Sequence, residues 1–476
     1  AFFCEAVAMT LYQTLADDIA AQIQQGLLRP GERLPSVRQW CVRRRLSQAT
    51  VLKALAQLVD DGWVESRQRS GHFVRAASAR FPDTPPPRPR ARGRAVAVSD
   101  LVFDILSATR DRSMLPFASA FPSPELFPLP ALANSLARAA RRLDPWATVA
   151  DLPPGSWALR RKIAKRYLAN GVRVDPAEII ITAGAMEALN LALQAVAPPG
   201  SLVAVESPCF YGALQAVERL GLRAVEIPTH PTEGIDLDAL AAVLKRQPVK
   251  ACWCMPSFQN PLGSLMPTKK REALVALLRR HQVPMIDDDV YAELYFGRHA
   301  PASSKRFDTD GNVLQCGSFS KTLAPGYRVG WIAAGGHAET VLRLKVSTTL
   351  ATSIPAQEAI ADYLERGVYE RHLRKLRRTL ATQRDQMLTA IHRHFPSDTR
   401  VSHPEGGYFL WLRLPPSVDT LQLHRAAAQR GIGLSPGPMF SAHRGLRHCL
   451  RLNFGHPWND EMEAGIATLG ALVRAG

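Results

Sequence analysis

The chain has 476 residues, 46% of them hydrophobic and 21% charged, which is material for about two to four domains around a large buried core. Charge or proline interrupts every apolar run well short of the roughly 18 residues a membrane span needs, and the seven scattered cysteines, an odd number, argue against a disulfide framework and for a reducing cytoplasm. The formal charge of +17 suggests a polyanionic partner, and residues 1–95 hold 15 Lys/Arg against 8 Asp/Glu, a net of +7.

Ala1 to Met9 is apolar but contains Glu5 and lacks a basic leader, so it does not read as a signal peptide; Met9 is a candidate start. Leu11, Leu15, Ile19 and Ile23 recur every four residues and predict a helix with one apolar stripe. Pro30-Gly31 turns the chain toward Ser36, a natural N-cap for a helix from about Val37 to Arg44. A third helix begins at Ser47, faces Val51, Leu55 and Leu58 inward and stops at Gly62. Two short strands, Trp63–Ser66 and His72–Arg75, flank a basic connection. Three helices and a basic hairpin make a winged helix-turn-helix; the alternative is a small helical cap with solvated arginines. The third helix would present Ser47, Gln48 and Thr50 to base edges, and the hairpin would place Arg67 and Arg69 near phosphates.

This stretch resembles the DNA-binding domain of the GntR family: Leu28 to Arg38 fits L-x-P-G-x-x-L-P-S-x-R, and Asp61-Gly62-Trp63 precedes a glycine wing. The resemblance implies double-stranded DNA as partner, with Ser36 and Arg38 at the duplex and Ser47, Gln48 and Thr50 at the groove. The amide of Gln48 suits adenine better than guanine.

Ala79 to Arg94 alternates proline and arginine and predicts an extended, semi-rigid spacer. The expected division is a DNA-binding domain over 1–78, a linker over 79–100 and an effector domain over 101–476. From about Asp151, β-branched runs at Glu178–Thr182, Ser201–Glu206, Arg223–Ile227, Lys250–Met255, Val283–Asp287 and Val313–Ser318 alternate with amphipathic stretches. That pattern predicts an α/β domain with a mostly parallel sheet and its sites at the carboxyl ends of the strands. Cys252 and Cys254 share one face of a strand and read as buried residues rather than a metal site.

Lys321 has serines at 318 and 320 before it and Arg328 seven residues after it, an amine inside a phosphate cradle. Pyridoxal phosphate needs a lysine for its aldehyde, with hydroxyls and a guanidinium for its phosphate. A solvated lysine beside a serine loop is the alternative. Thr182 to Met186 closes a strand and opens a helix, so Ala185 and Met186 can offer backbone amides to a phosphate. Phe210 follows the next strand, Asn260 another, and Asp287-Asp288-Asp289-Val290-Tyr291 a third. One of these carboxylates would pair with a protonated pyridine nitrogen; a magnesium cluster is the other reading.

In order and spacing these motifs resemble the fold-type I pyridoxal 5'-phosphate proteins of the class I/II aminotransferase family, over roughly residues 115–470. The resemblance implies Lys321 as the Schiff-base lysine, Asp288 as the pyridine partner, Tyr291 and Asn260 as donors to the ring oxygen, and Phe210 stacked on the ring. It assigns Ala185, Met186, Ser318, Ser320 and Arg328 to the phosphate and Arg451 to a substrate carboxylate. Relatives usually supply a tyrosine to the neighbouring subunit where this chain has Ala150-Asp151, and more often have tyrosine at the position of Phe210. A shared site implies a homodimer.

A GntR-like head on an aminotransferase-like domain, with Phe121 to Pro128 at the domain entry, resembles the MocR-type regulators. The implied function is transcriptional regulation through aldimine chemistry at Lys321, sensing an amine, an amino acid or pyridoxal phosphate, with little or no transaminase turnover. A working aminotransferase with an appended DNA-binding module is the runner-up.

Overall fold

A computed structural model describes residues 11–24, 27–28, 31–60, 63–67, 71–74, 93–108, 111–150 and 153–475. The chain divides into two compact units, Ala1–Ser78 and Ala79–Gly476. Most of the expected spacer, together with Arg69 of the hairpin connection and Asp151 of the missing-tyrosine position, lies outside the described residues.

The small unit consists of α1 (Leu11–Gln24), α2 (Val37–Arg44) and α3 (Gln48–Asp60), followed by an antiparallel hairpin of β1 (Val64–Arg67) and β2 (Gly71–Val74). Its core is Leu15, Ile19, Leu34, Trp40, Val51, Leu55, Leu58, Val64 and Val74. Leu11, expected on the inner stripe, is 68% exposed. A four-residue step overshoots a 3.6-residue turn by about 40°, so a stripe drawn through three such steps swings off the buried face at its ends. Ser36 caps α2 in a reciprocal box: its hydroxyl accepts from Gln39 N (3.3 Å), while Gln39 Oε1 accepts from Ser36 N (2.8 Å).

The large unit begins earlier than expected. Residues 94–100 were assigned to the spacer, but β3 (Arg94–Ala95) pairs with the edge of the main sheet, Val96 and Val98 are buried, and α4 (Ser99–Ala108) starts there. Arginine and proline content hid a short edge strand whose partner is 130 residues away in sequence. The chain then runs through α5 (Leu129–Arg142), α6 (Ala147–Ala150), α7 (Trp157–Ala169), β4 (Ile179–Thr182), α8 (Ala185–Val196), β5 (Leu202–Ser207), α9 (Tyr211–Arg219), β6 (Arg223–His230), β7 (Gly234–Ile235), α10 (Leu237–Arg246), β8 (Val249–Cys254), α11 (Thr268–Arg280), β9 (Met285–Asp288), β10 (Val313–Ser318) and β11 (Gly330–Ala333). The main sheet has the order β3-β6-β5-β8-β9-β10-β11-β4, with β7 attached to β6. The pairs from β6 through β10 are parallel, but β11 runs antiparallel to both β10 and β4, so the sheet is mixed. Apolar clusters cover both faces.

Beyond the sheet lie α12 (Ala338–Thr348), α13 (Ile354–Glu365) and the 26-residue α14 (Tyr369–His394). A second layer follows: β12 (Arg400–Val401), β13 (Phe409–Arg413), α15 (Thr420–Ala428), β14 (Ser435–Pro436), β15 (Cys449–Asn453) and α16 (Asp460–Ala475). Its four strands form an antiparallel sheet in the order β12-β13-β15-β14, packed on α14 and α16. No described helix is long and apolar enough to cross a membrane.

Candidate functional site

The carboxyl ends of the main-sheet strands converge on one cleft of about 520 Å³, its open mouth included. Ala185, Met186, Phe210, Asn260, Asp288, Tyr291, Ser318, Ser320, Lys321 and Arg328 all line it, joined by Phe121, Leu189, Met255 and Val290. Ten residues singled out across more than 140 positions of sequence thus share one wall.

At one end, Ser318 Oγ lies 2.9 Å from Ser320 Oγ and accepts from Ser320 N at 3.0 Å. Arg328 donates from Nη1 to Ser320 Oγ (3.3 Å) and from Nη2 to the Ala183 carbonyl (3.0 Å), which ties the guanidinium to the start of α8. Gly184 caps α8 at φ +87°, and a Cβ there would run into the Arg328 guanidinium. Two hydroxyls, a guanidinium and the free amides of a helix start therefore meet where only a glycine fits, an arrangement suited to a phosphate.

Lys321 occupies the middle. Its Nζ donates to the Ala120 carbonyl (2.9 Å) and lies 3.9 Å from the centre of the Phe121 ring. Burial, then Arg451 and Arg328, hold its amine down at about 7, against the opposing pull of Asp288. Asp288 is pushed up to about 7 by burial and by the neighbouring Asp287. Its Oδ1 is buried with no hydrogen-bond partner among the described residues. Asp287 accepts from Gln315 Nε2 (2.8 Å), as does Asp289 at 3.3 Å, and neither lines the cleft. An orphaned buried carboxylate oxygen in the cleft is what a pyridinium N–H would satisfy. No group of three or more His, Cys, Asp or Glu able to hold a metal ion occurs among the described residues.

Arg451 is fully buried and does not line the cleft. It donates to Asn260 Oδ1 (3.0 Å), the Ala118 carbonyl (3.0 Å) and Ser435 Oγ (3.2 Å), and stacks 4.0 Å from the Phe409 ring centre. By occupying the oxygen of the Asn260 amide it leaves the amide nitrogen as the group able to donate. Burial raises the Tyr291 phenol, which keeps it a neutral donor near pH 7.

Sequence reasoning missed several contributors. Ala120 and Phe121, in the entry segment, contact the lysine; the Phe121 to Pro128 run carries a family resemblance but no local signal of that contact. Tyr408 donates to the same Ala120 carbonyl (3.1 Å), and no local motif marked it. Thr322, next to Lys321, is held from α14: the Tyr369 hydroxyl, which donates to Glu293 Oε2 (2.5 Å), lies 2.8 Å from its hydroxyl, and His372 Nε2 lies 2.6 Å from its carbonyl.

In the small unit, Ser36, Arg38, Ser47 and Gln48 are exposed and Thr50 is half-buried. Ser47 caps α3, accepting from Thr50 N (3.1 Å) with its hydroxyl 2.8 Å from Thr50 Oγ1, so it shapes the helix start as well as facing outward. Gln48 opens α3 and Arg67 closes β1. The hairpin strands sit one residue from their expected bounds.

Fold and site together define a class: a winged-helix head joined to an α/β domain whose strand ends build a lysine-centred cleft suited to a phosphate. The chain belongs to the class I and II aminotransferase family, whose model matches residues 131–469, and carries a domain of the gntR family of bacterial regulatory proteins over residues 11–74. It is 45% identical over 466 residues to the HTH-type transcriptional regulator YdcR of Escherichia coli K12, spanning 98% of this chain and 99% of that one. It is 32% identical over 387 residues to the 2-aminoadipate transaminase of Thermus thermophilus, covering 80% and 96%. Among solved structures, the kynurenine aminotransferase of Pyrococcus horikoshii, in complex with PMP, superposes with a TM-score of 0.74 at 30% identity over 79% of this chain and 94% of that one.

Proposed function

We propose that this fusion of a GntR DNA-binding domain with an aminotransferase-like domain is a transcriptional regulator that holds pyridoxal 5'-phosphate at Lys321 and responds to a small amine or amino acid. The observation that carries the reading is the convergence of the lysine, the Ser318–Ser320–Arg328 cradle and the orphaned Asp288 oxygen in one cleft, on a chain that also bears a DNA-reading head. When bound, the cofactor supplies a reversible covalent site for primary amines. Lys321 holds it, Asp288 keeps the ring nitrogen protonated, Asn260 and Tyr291 donate to its ring oxygen, and Phe210 covers its face. Arg328, the two serines and the amides of Ala185 and Met186 hold its phosphate.

Arg451 sits behind Asn260, so a carboxylate on the effector would bind there only by displacing internal acceptors; its role in the reading is to orient Asn260 and, on that displacement, to grip the effector. We further propose a homodimer, and a cytoplasmic setting that the six described cysteines, all free, support. The runner-up, a working aminotransferase, draws support from the transaminase relative. Affinity for operator DNA selected in vitro, measured with and without each amine alongside keto-acid release, separates them. A regulator changes its DNA affinity without sustained keto-acid production; the reverse result favours the enzyme.

A further inference from the structure

The head does not account for the charge of this protein. Residues 96–476 carry 44 Lys/Arg against 34 Asp/Glu, a net of +10 in the part of the chain that matches small-molecule enzymes. Part of this excess is concentrated on one face of α14. Arg371, Arg374, Lys375 and Arg378 are all exposed, and at about 100° per residue their spacing confines them to a stripe about 100° wide. None has an ion-pair partner among the described residues. Glu370, the acid in the first turn, is already paired with Arg166 at 3.1 Å. Further along the same face the exposed residues are Thr382, Gln386 and Thr389, all neutral, followed in the last turn by His392 and by Arg393, which is paired with Glu463 at 2.9 Å.

Helix stability gives no reason for this stripe. Arg371 in the first turn lies at the positive end of the helix dipole, and Arg371–Lys375 and Arg374–Arg378 are like-charged pairs one turn apart; both features destabilise a helix. A bound polyanion reverses the sign of both effects. The helix is about 39 Å long, close to one turn of B-form DNA, and its four cations span about 10 Å of axis, over which a duplex presents several phosphates.

We infer that this face of α14 binds the phosphate backbone of duplex DNA in addition to the contacts made by the winged helix. The inference rests on the DNA-binding reading and concerns affinity and footprint rather than sequence choice, because phosphate contacts carry no base information.

The test uses the intact protein and a labelled 60-base-pair duplex of arbitrary sequence, with affinity followed as a function of salt. The variant Arg371→Gln/Arg374→Gln/Lys375→Gln/Arg378→Gln should lower the log–log salt slope by about 3–4 units and weaken binding at low salt by more than about tenfold. A comparator with the same loss of charge at exposed positions elsewhere, Lys245→Gln/Lys250→Gln/Lys269→Gln/Arg280→Gln, should leave the slope nearly unchanged. All eight positions are exposed, so both variants should keep the fold, read as one cooperative thermal transition, with the Tm of the α14 variant at or slightly above that of the wild type. Equal slopes for the two variants would mean net charge alone acts and would overturn the inference. So would an unchanged slope accompanied by lost binding to phosphatidylglycerol vesicles, which would assign the stripe to a membrane surface. If the wild-type chain itself shows no salt-dependent DNA binding, the DNA-binding reading fails together with the inference.

Discussion

Burial sets the two ionisable groups at the centre of the cleft against their ordinary protonation states. Lys321, held near 7 by desolvation and the neighbouring Arg451, offers an appreciable neutral, nucleophilic fraction at neutral pH, where an exposed lysine offers almost none. The rate at which cofactor-free protein takes up pyridoxal phosphate should therefore rise through pH 7 and level off by about pH 8; a rate that climbs steadily to pH 10 would show an unperturbed lysine. Borohydride reduction and digestion should then find the pyridoxyl group on Lys321, and Lys321→Ala should lose it. Asp288 is displaced the other way, from 3.8 to about 7. The folded cofactor-free chain retains a proton that the unfolded chain releases above about pH 4, so stability falls as pH rises from about 4 to about 7. A displacement of that size corresponds to roughly 4 kcal/mol at most. Asp288→Asn should therefore raise the Tm of cofactor-free protein at pH 8 and much less at pH 5, while weakening cofactor binding, because the pyridinium loses its counter-charge. A pH-independent Tm difference would shift the orphaned carboxylate's role to another group.

At the scale of elements, the cleft depends on the join between β4 and α8. Gly184→Ala should weaken pyridoxal phosphate binding by at least about tenfold, since a Cβ at φ +87° is strained and collides with the arginine of the cradle. Equilibrium dialysis checks it, and unchanged affinity would move the phosphate elsewhere. In the head, Ser36→Ala removes a reciprocal cap and should cost the small unit about 1 kcal/mol in denaturant unfolding. Gln48→Ala should flatten sequence preference, at roughly 1–3 kcal/mol for the best site if the amide makes a bidentate contact. Elements of this kind were legible because their signals are local: Ser36 before an apolar-periodic run, Gly184 between strand and helix, a lysine spaced from serines and an arginine. The antiparallel β11 and the edge strand β3 were not legible, because strand direction and a two-residue pairing are decided by partners distant in the chain. Tyr408, Tyr369 and His372 stayed hidden for the same reason: each reaches the lysine loop or the carbonyl beside it from another layer, across 47 to 288 residues of sequence.

For the whole molecule the question is whether the two units communicate. Each has its own apolar core, five-element and compact in the small unit and built on two sheets in the large one, so each should fold alone after proteolysis between residues 78 and 94. A regulator needs the uncut chain for its response, whereas an enzyme with a passive appendage does not. α14 offers a mechanical link inside the large unit, because Tyr369 and His372 clamp Thr322 beside Lys321 at one end of the helix while its far end packs on α16 and the second sheet. Release of Lys321 when an effector amine takes its place on the cofactor should therefore change the DNA affinity of the intact protein by about 5–150-fold, the usual range of coupling between two sites, and the shift should vanish in Lys321→Ala while basal DNA binding remains. Tyr369→Phe keeps the lysine and the ring packing but removes the hydroxyl contacts to Thr322 and Glu293, so it should reduce the coupling more than it reduces cofactor content, read as the absorbance of the bound cofactor. A Tyr369→Phe protein with full coupling would remove α14 from the path, and a cleaved protein whose separated head still responds to amine would remove the large unit as the sensor.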